Sequence, residues 1–160
     1  MLFLYLFIGA FASAAAASDT LPVHDAFARA DRGELTLIDI RSSQEWLETG
    51  IPSPARALSM YDRDFLLQLN NIIVATDNRP VAFICATGSR SAWLRQALAA
   101  RGMLNLLDVP EGMLGNSAGP GWLRAGLPVR PYDGPDPRHA PTYSLWERLR
   151  GSYRPPWFAH

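Results

Sequence analysis

Lysine is absent from this 160-residue chain: all fifteen basic residues are arginine, offset by fifteen acidic ones. The formal net charge is zero and no run of like charge stands out. Nucleic acids and anionic membranes select basic surfaces, so neither is expected as the main partner. Histidine is also scarce. His24, His139 and His160 share no metal-ligand spacing with one another or with the single cysteine, so no metal site is expected. One cysteine cannot close an internal disulfide, and a lone thiol is either buried and inert or exposed for chemistry. What is present is ordinary for a globular protein, with 48% hydrophobic and 19% charged residues. The length suffices for one domain with a proper core.

No charged residue precedes Asp19. Leu2 to Phe11 is a compact apolar run and Ala12 to Ser18 a stretch of small residues, with Ala15-Ala16-Ala17 matching a small-x-small cleavage pattern. Residues 1–17 therefore read as a secretory signal. The mature protein is expected in the periplasm without a stable membrane anchor, and an uncleaved N-terminal anchor is the alternative. Residues 18–130 form the expected domain. Residues 131–160 hold six of the thirteen prolines and six aromatics, and read as a tail. Its aromatics are expected to pack on the domain surface, and the alternative is a docking segment for a protein partner.

Within the domain, helical and strand patterns alternate. Pro22 suits a first helical turn, and the pattern His24 to Ala30 stops at Gly33. Leu35 to Ile40 is a β-branched apolar run, read as a buried strand. Ser42 and Glu45 form a capping box for a helix that ends at Gly50. Ala55 to Leu58 suits a short strand, and Asp62 to Leu69 a helix with Phe65, Leu66 and Leu69 inward. Val81 to Ile84 is the clearest core strand. A helix after Gly88 places Trp93, Leu94, Ala97 and Leu98 at core spacing and stops at Gly102. Leu104 to Val109 reads as a further strand, Gly112 to Gly121 as a glycine-rich loop and Trp122 to Ala125 as a short closing helix. Trp46, Trp93 and Trp122 are expected as core anchors. Strands separated by helices imply an α/β fold with a mainly parallel sheet covered on both faces.

The stretch Cys85-Ala86-Thr87-Gly88-Ser89-Arg90-Ser91 carries the chemistry. A core strand delivers Cys85 to its carboxyl end, where open α/β sheets bind ligands. Gly88 lets the chain curl, and the helix that follows offers free amides and its positive end. Those donors and the Arg90 guanidinium together favour a thiolate on Cys85, and the same cradle suits a small anion or the outer sulfur of a persulfide.

From about Thr20 to Val129 the sequence resembles the rhodanese-like domains. The resemblance rests on Leu37-Ile38-Asp39-Ile40-Arg41, Glu45-Trp46, Thr49-Gly50-Ile51-Pro52, the loop Cys85 to Arg90, and Gly112, Trp122 and Gly126-Leu127-Pro128-Val129. It implies a five-stranded, mainly parallel sheet with helices on both faces. It also implies sulfane-sulfur transfer through a persulfide on Cys85, without metal or organic cofactor. Residues Ala86 to Ser91 would hold the persulfide. The six-residue span from Cys85 to Arg90 matches the sulfurtransferases of that family, whereas related phosphatases carry one residue more. The chain departs from the family pattern at Ala86, often cationic in members that use thiosulfate. It also lacks the usual His before Ile51-Pro52, has Ser53-Pro54 where Gly is common, and replaces a Gly pair with Glu111-Gly112.

The expected reaction has two displacements. Cys85 takes the outer sulfur of a small donor such as thiosulfate, and a thiol or cyanide-like acceptor then removes it. Asp39 and Arg41, at the neighbouring strand's end, are expected to orient loops without touching substrate. Glu45 is accounted for as a helix cap. The alternatives are a non-catalytic module of the same fold that binds a protein, an oxyanion reductase or phosphatase on that fold, and a thiol redox sensor.

Overall fold

The computed structural model describes residues 19–134. The signal-like segment 1–17 and all of the tail beyond Gly134 lie outside them. Element order is α1 (Val23–Asp31), β1 (Thr36–Asp39), α2 (Ser43–Thr49), β2 (Ile51–Pro52), β3 (Arg56–Ala57), α3 (Phe65–Ala75), β4 (Val81–Ile84), α4 (Ser89–Ala99), β5 (Leu106–Asp108), α5 (Gly121–Arg124) and β6 (Val129–Arg130). The main sheet runs β3-β1-β4-β5 with every pairing parallel. Thr20 adds a parallel bridge to Asp108 outside β5, so the chain's first described residues take the position of a fifth strand. A separate antiparallel pair joins β2 to β6, with Ile51 opposite Arg130. The fold is thus α/β with a mainly parallel sheet flanked by helices.

Alternation along the strands divides the core in two. Leu37, Ala82 and Ile84 face one side and pack with Val23 and Ala26 of α1, Trp46 of α2 and Trp122 of α5. Ile38, Val81 and Phe83 face the other side and pack with Phe65, Leu69 and Ile72 of α3 and Leu94 and Leu98 of α4. β1 and β4 are buried at every residue, which is why β4 reads as an unbroken apolar run and β1 carries its two polar residues, Thr36 and Asp39, only at its ends.

Three sequence expectations change. The third helix continues to Ala75, and its inward stripe is Phe65, Leu69 and Ile72; Leu66 lies off that i, i+4, i+7 line and is exposed. In α4 the stripe is Ser91, Leu94 and Leu98, so Trp93 sits on the flank, 46% exposed, while Trp46 and Trp122 are the two buried tryptophans expected. Leu104 is exposed ahead of β5, because the chain turns at Asn105 (φ 59°) before entering the sheet.

Candidate functional site

β4 runs between β1 and β5 and delivers Cys85 to the carboxyl edge of the sheet. Gly88 then turns the chain into α4 with φ 83°. A side chain here would be strained by the left-handed backbone and driven into the carbonyl of Pro110. On its outer side the loop is bound carbonyl by carbonyl to the segment that follows β5. Cys85 O accepts from Met113 N at 2.9 Å and Ala86 O from Leu114 N at 2.9 Å. Asn116 Nδ2 donates to Thr87 O and to Pro110 O, both at 2.7 Å. Gly112 makes the fit possible, since a Cβ there would lie 2.6 Å from Ala86 O. Glu111 secures that brace: its buried carboxylate accepts from Val23 N at the start of α1 (3.0 Å) and from Gly121 N (3.2 Å).

The amide side of the loop is unclaimed. Among the described residues, none of the backbone N–H groups from Ala86 to Ser91 donates to a protein acceptor. Six consecutive free donors at a helix start form a cradle for a negatively charged atom. Thr87 and Ser89 are exposed, Ala86 and Arg90 half-buried, Gly88 and Ser91 buried.

Cys85 itself is buried, contrary to a thiol exposed for chemistry. The reason is the closed loop above it and the α3–α4 side of the core beneath, where it belongs to the same cluster as Ile40, Met60 and Leu94. The Ser91 hydroxyl lies 3.5 Å from Cys85 Sγ and 3.0 Å from Gly88 O, within donating reach of both.

Arg90 also departs from expectation. Its guanidinium hydrogen bonds run to the rim, none to the sulfur: Nη2 and Nη1 donate to Glu45 Oε1 and Oε2 at 2.5 and 3.0 Å, and Nη1 also reaches Tyr61 Oη at 3.3 Å. A bidentate carboxylate is the strongest partner the fork can find on this face. The Arg90 hydrogen bonds, aided by those from the Ser42 amide and hydroxyl, hold the Glu45 carboxyl at about 2 against the opposing effect of burial. Glu45 completes the expected capping box through Ser42, so one side chain both starts α2 and binds Arg90. The capping box was legible as a four-residue pattern; the pairing across 45 positions was not.

Asp39 and Arg41 form a fully buried pair, with Nη2 to Oδ2 at 2.7 Å and Nε to Oδ1 at 3.0 Å. Arg41 also donates to Thr49 Oγ1 and to Gly50 O, each at 2.7 Å, and to Glu45 O at 3.3 Å. These bonds tie the end of α2 to β1 and so fix the helix that carries Glu45. Asp108 had no sequence signal. It pairs with Phe83 in the sheet, and its buried Oδ1 has no hydrogen-bond partner. Burial pushes its carboxyl up, opposed by the Ser91 hydroxyl and the charge of Arg95. Beside the loop lies an open depression of about 330 Å³ lined by Met60, Tyr61, Ser89, Arg90 and Trp93.

Comparison with known proteins places this geometry. The family model described as "Rhodanese-like domain" matches residues 23–117. An uncharacterized protein of Rickettsia prowazekii is 29% identical over 98 residues, 58% of this chain and 80% of that one. Among solved structures, Rv0390 from M. tuberculosis superposes with a TM-score of 0.53 at 22% identity, covering 69% of this chain and 98% of the other. The polysulfide-sulfur transferase homodimer of Wolinella succinogenes gives 0.50 at 23% identity, covering 72% and 81%. At these identities the two superpositions speak for the fold.

Proposed function

Since the chain belongs to the rhodanese-like domain family, we propose that it is a sulfurtransferase carrying sulfane sulfur as a persulfide on Cys85. The observation that carries this reading is the row of six unclaimed amides from Ala86 to Ser91 directly after a solitary cysteine. Cys85 as thiolate attacks the outer sulfur of a donor. The new S–S bond forms as the donor's own bond to that sulfur breaks, and the remainder leaves as an anion. The loop amides take the charge that the outer sulfur carries. A thiol or cyanide-like acceptor then attacks that sulfur and returns the Cys85 thiolate. The Ser91 hydroxyl, 3.5 Å from Sγ, is placed to stabilise the anion at both stages.

Intact-mass analysis after exposure to sulfane donors tests this reading. The expected result is a gain of one sulfur atom, reversed by a thiol reductant and absent in Cys85→Ser; no gain in the unmodified sequence overturns it. Export as a periplasmic protein is proposed alongside, and the same spectra of protein recovered from the periplasm would show loss of residues 1–17.

The burial of Cys85 favours a second reading, a protein-binding module without turnover. Cys85→Ser separates the two, because a binding module keeps its partner while a transferase loses transfer.

A further inference from the structure

Thiosulfate brings its sulfane sulfur attached to an anionic group that needs a cation at the loop's mouth. Among the residues that line the depression beside the loop, the one cation is Arg90, and it is engaged. Ala86 supplies no charge, and the one loop cation, Arg90, has a bidentate carboxylate on its fork and Tyr61 Oη on its flank. Side-chain exposures of 25% for Arg90 and 28% for Glu45 place this neutralised pair at the opening. The carboxylate would repel a second anion arriving there.

What the mouth does offer is apolar. The depression bordering Ser89 and Arg90 is walled by Met60, Tyr61 and Trp93. Tyr61 and Trp93 are 47% and 46% exposed, two large aromatics converging on one hollow. Flat rings and a polarizable thioether suit a hydrophobic or sulfur-bearing group, and binding it would remove their surface from water.

We propose that this depression is a subsite for the apolar organic half of a persulfide donor, R–S–SH, and that Glu45, by holding Arg90, excludes thiosulfate. The inference rests on the sulfur-transfer reading and names its donor class. The step balances without an oxidant: Cys85–S⁻ attacks the outer sulfur, the Cys85 S–S bond forms and the donor's own S–S bond breaks, its electron pair leaving on the inner sulfur. The products are Cys85–S–SH and R–S⁻, with one negative charge before and after. R remains against Tyr61 and Trp93 until R–S⁻ departs.

The test follows the rate of the one-sulfur mass gain with thiosulfate, methyl persulfide and benzyl persulfide. The two persulfides share their reactive group and differ only in R. Wild type is expected to load from the benzyl donor about fivefold faster than from the methyl donor, and Trp93→Ala to bring that ratio close to one. Glu45→Gln keeps a side chain able to complete the capping box while removing the charge that holds Arg90. It is expected to raise loading from thiosulfate about tenfold, as a charged donor becomes available to the anion. A disturbed fold cannot mimic a gain of that kind. Equal benzyl and methyl rates in wild type, or thiosulfate loading unchanged by Glu45→Gln, overturns the inference while leaving sulfur transfer standing. Absence of loading from every donor overturns both.

Discussion

Two arginine–carboxylate pairs are tied to α2 in this protein, and they do opposite kinds of work. Asp39 and Arg41 are two residues apart, sealed in the core, with the guanidinium spent on the carboxylate and the end of α2. Glu45 and Arg90 are 45 residues apart and sit half in water at the loop's mouth. The first fixes where α2 lies. The second uses that placement to hold the loop's only cation. A buried pair is expensive to form and ruinous to break, because a lone buried charge has no solvent to fall back on. A rim pair contributes little to stability and can be altered without losing the fold. The surroundings of the loop thus combine an electrostatic joint that resists change with one that tolerates it.

Breaking the buried joint has the largest expected effect. Arg41→Ala strands Asp39 and frees the last carbonyls of α2, and should cost about 3–5 kcal/mol in denaturant unfolding. A loss below about 1 kcal/mol would show that water reaches Asp39 and that the two pairs differ less than their burial suggests.

Asp108 sharpens the comparison as a carboxylate with one buried oxygen unpartnered. Burial raises its carboxyl, so the folded state holds that proton more tightly than the unfolded chain does. The sign is therefore opposite to that of a paired acid: stability falls as pH rises from the ordinary range of an aspartate through the raised folded value. Asp108→Asn removes the buried charge and should leave the protein more stable at neutral pH by about 1 kcal/mol, with the loss above the ordinary aspartate range flattened. Destabilisation in thermal melts at pH 7 would mean that Ser91 and Arg95 more than offset the burial.

The smallest effect is expected at the rim. The Glu45 carboxyl is held at about 2 in the fold against an ordinary value of 4.5. Its contribution is present above pH 4.5 and is lost as pH falls toward 2. After solvent screening it is worth about 0.5 kcal/mol, so Glu45→Gln should shift the unfolding midpoint slightly at pH 7 and not at all at pH 2. An equal shift at both pH values would assign the effect to helix capping instead of charge.

Much of the frame was legible. The apolar β-branched character of β1 and β4, the Ser42–Glu45 capping box, the Gly88 turn and Gly50 each carry local signals that physical rules read directly. Two of the departures share one cause. Trp93 and Leu66 sit at positions where helical periodicity admits either burial or exposure, and only the neighbouring elements decide which. Glu111, at a family glycine position, gave no hint that its carboxylate ties α1 to the chain around Gly121.

The two-residue strands β2 and β6 gave no local signal, but the sequence by itself determined the alternation of helices with the main-sheet strands, the parallel α/β plan and the strand-to-helix turn that follows a single cysteine. Those features depend on side-chain period and backbone freedom, which are properties of adjacent residues. Tertiary structure alone decided that Cys85 is covered, that Arg90 turns to Glu45 and not to the sulfur, and that Asp108 is left with an unpartnered oxygen. Each of these depends on which distant groups packing brings together, and sequence neighbourhood does not set that.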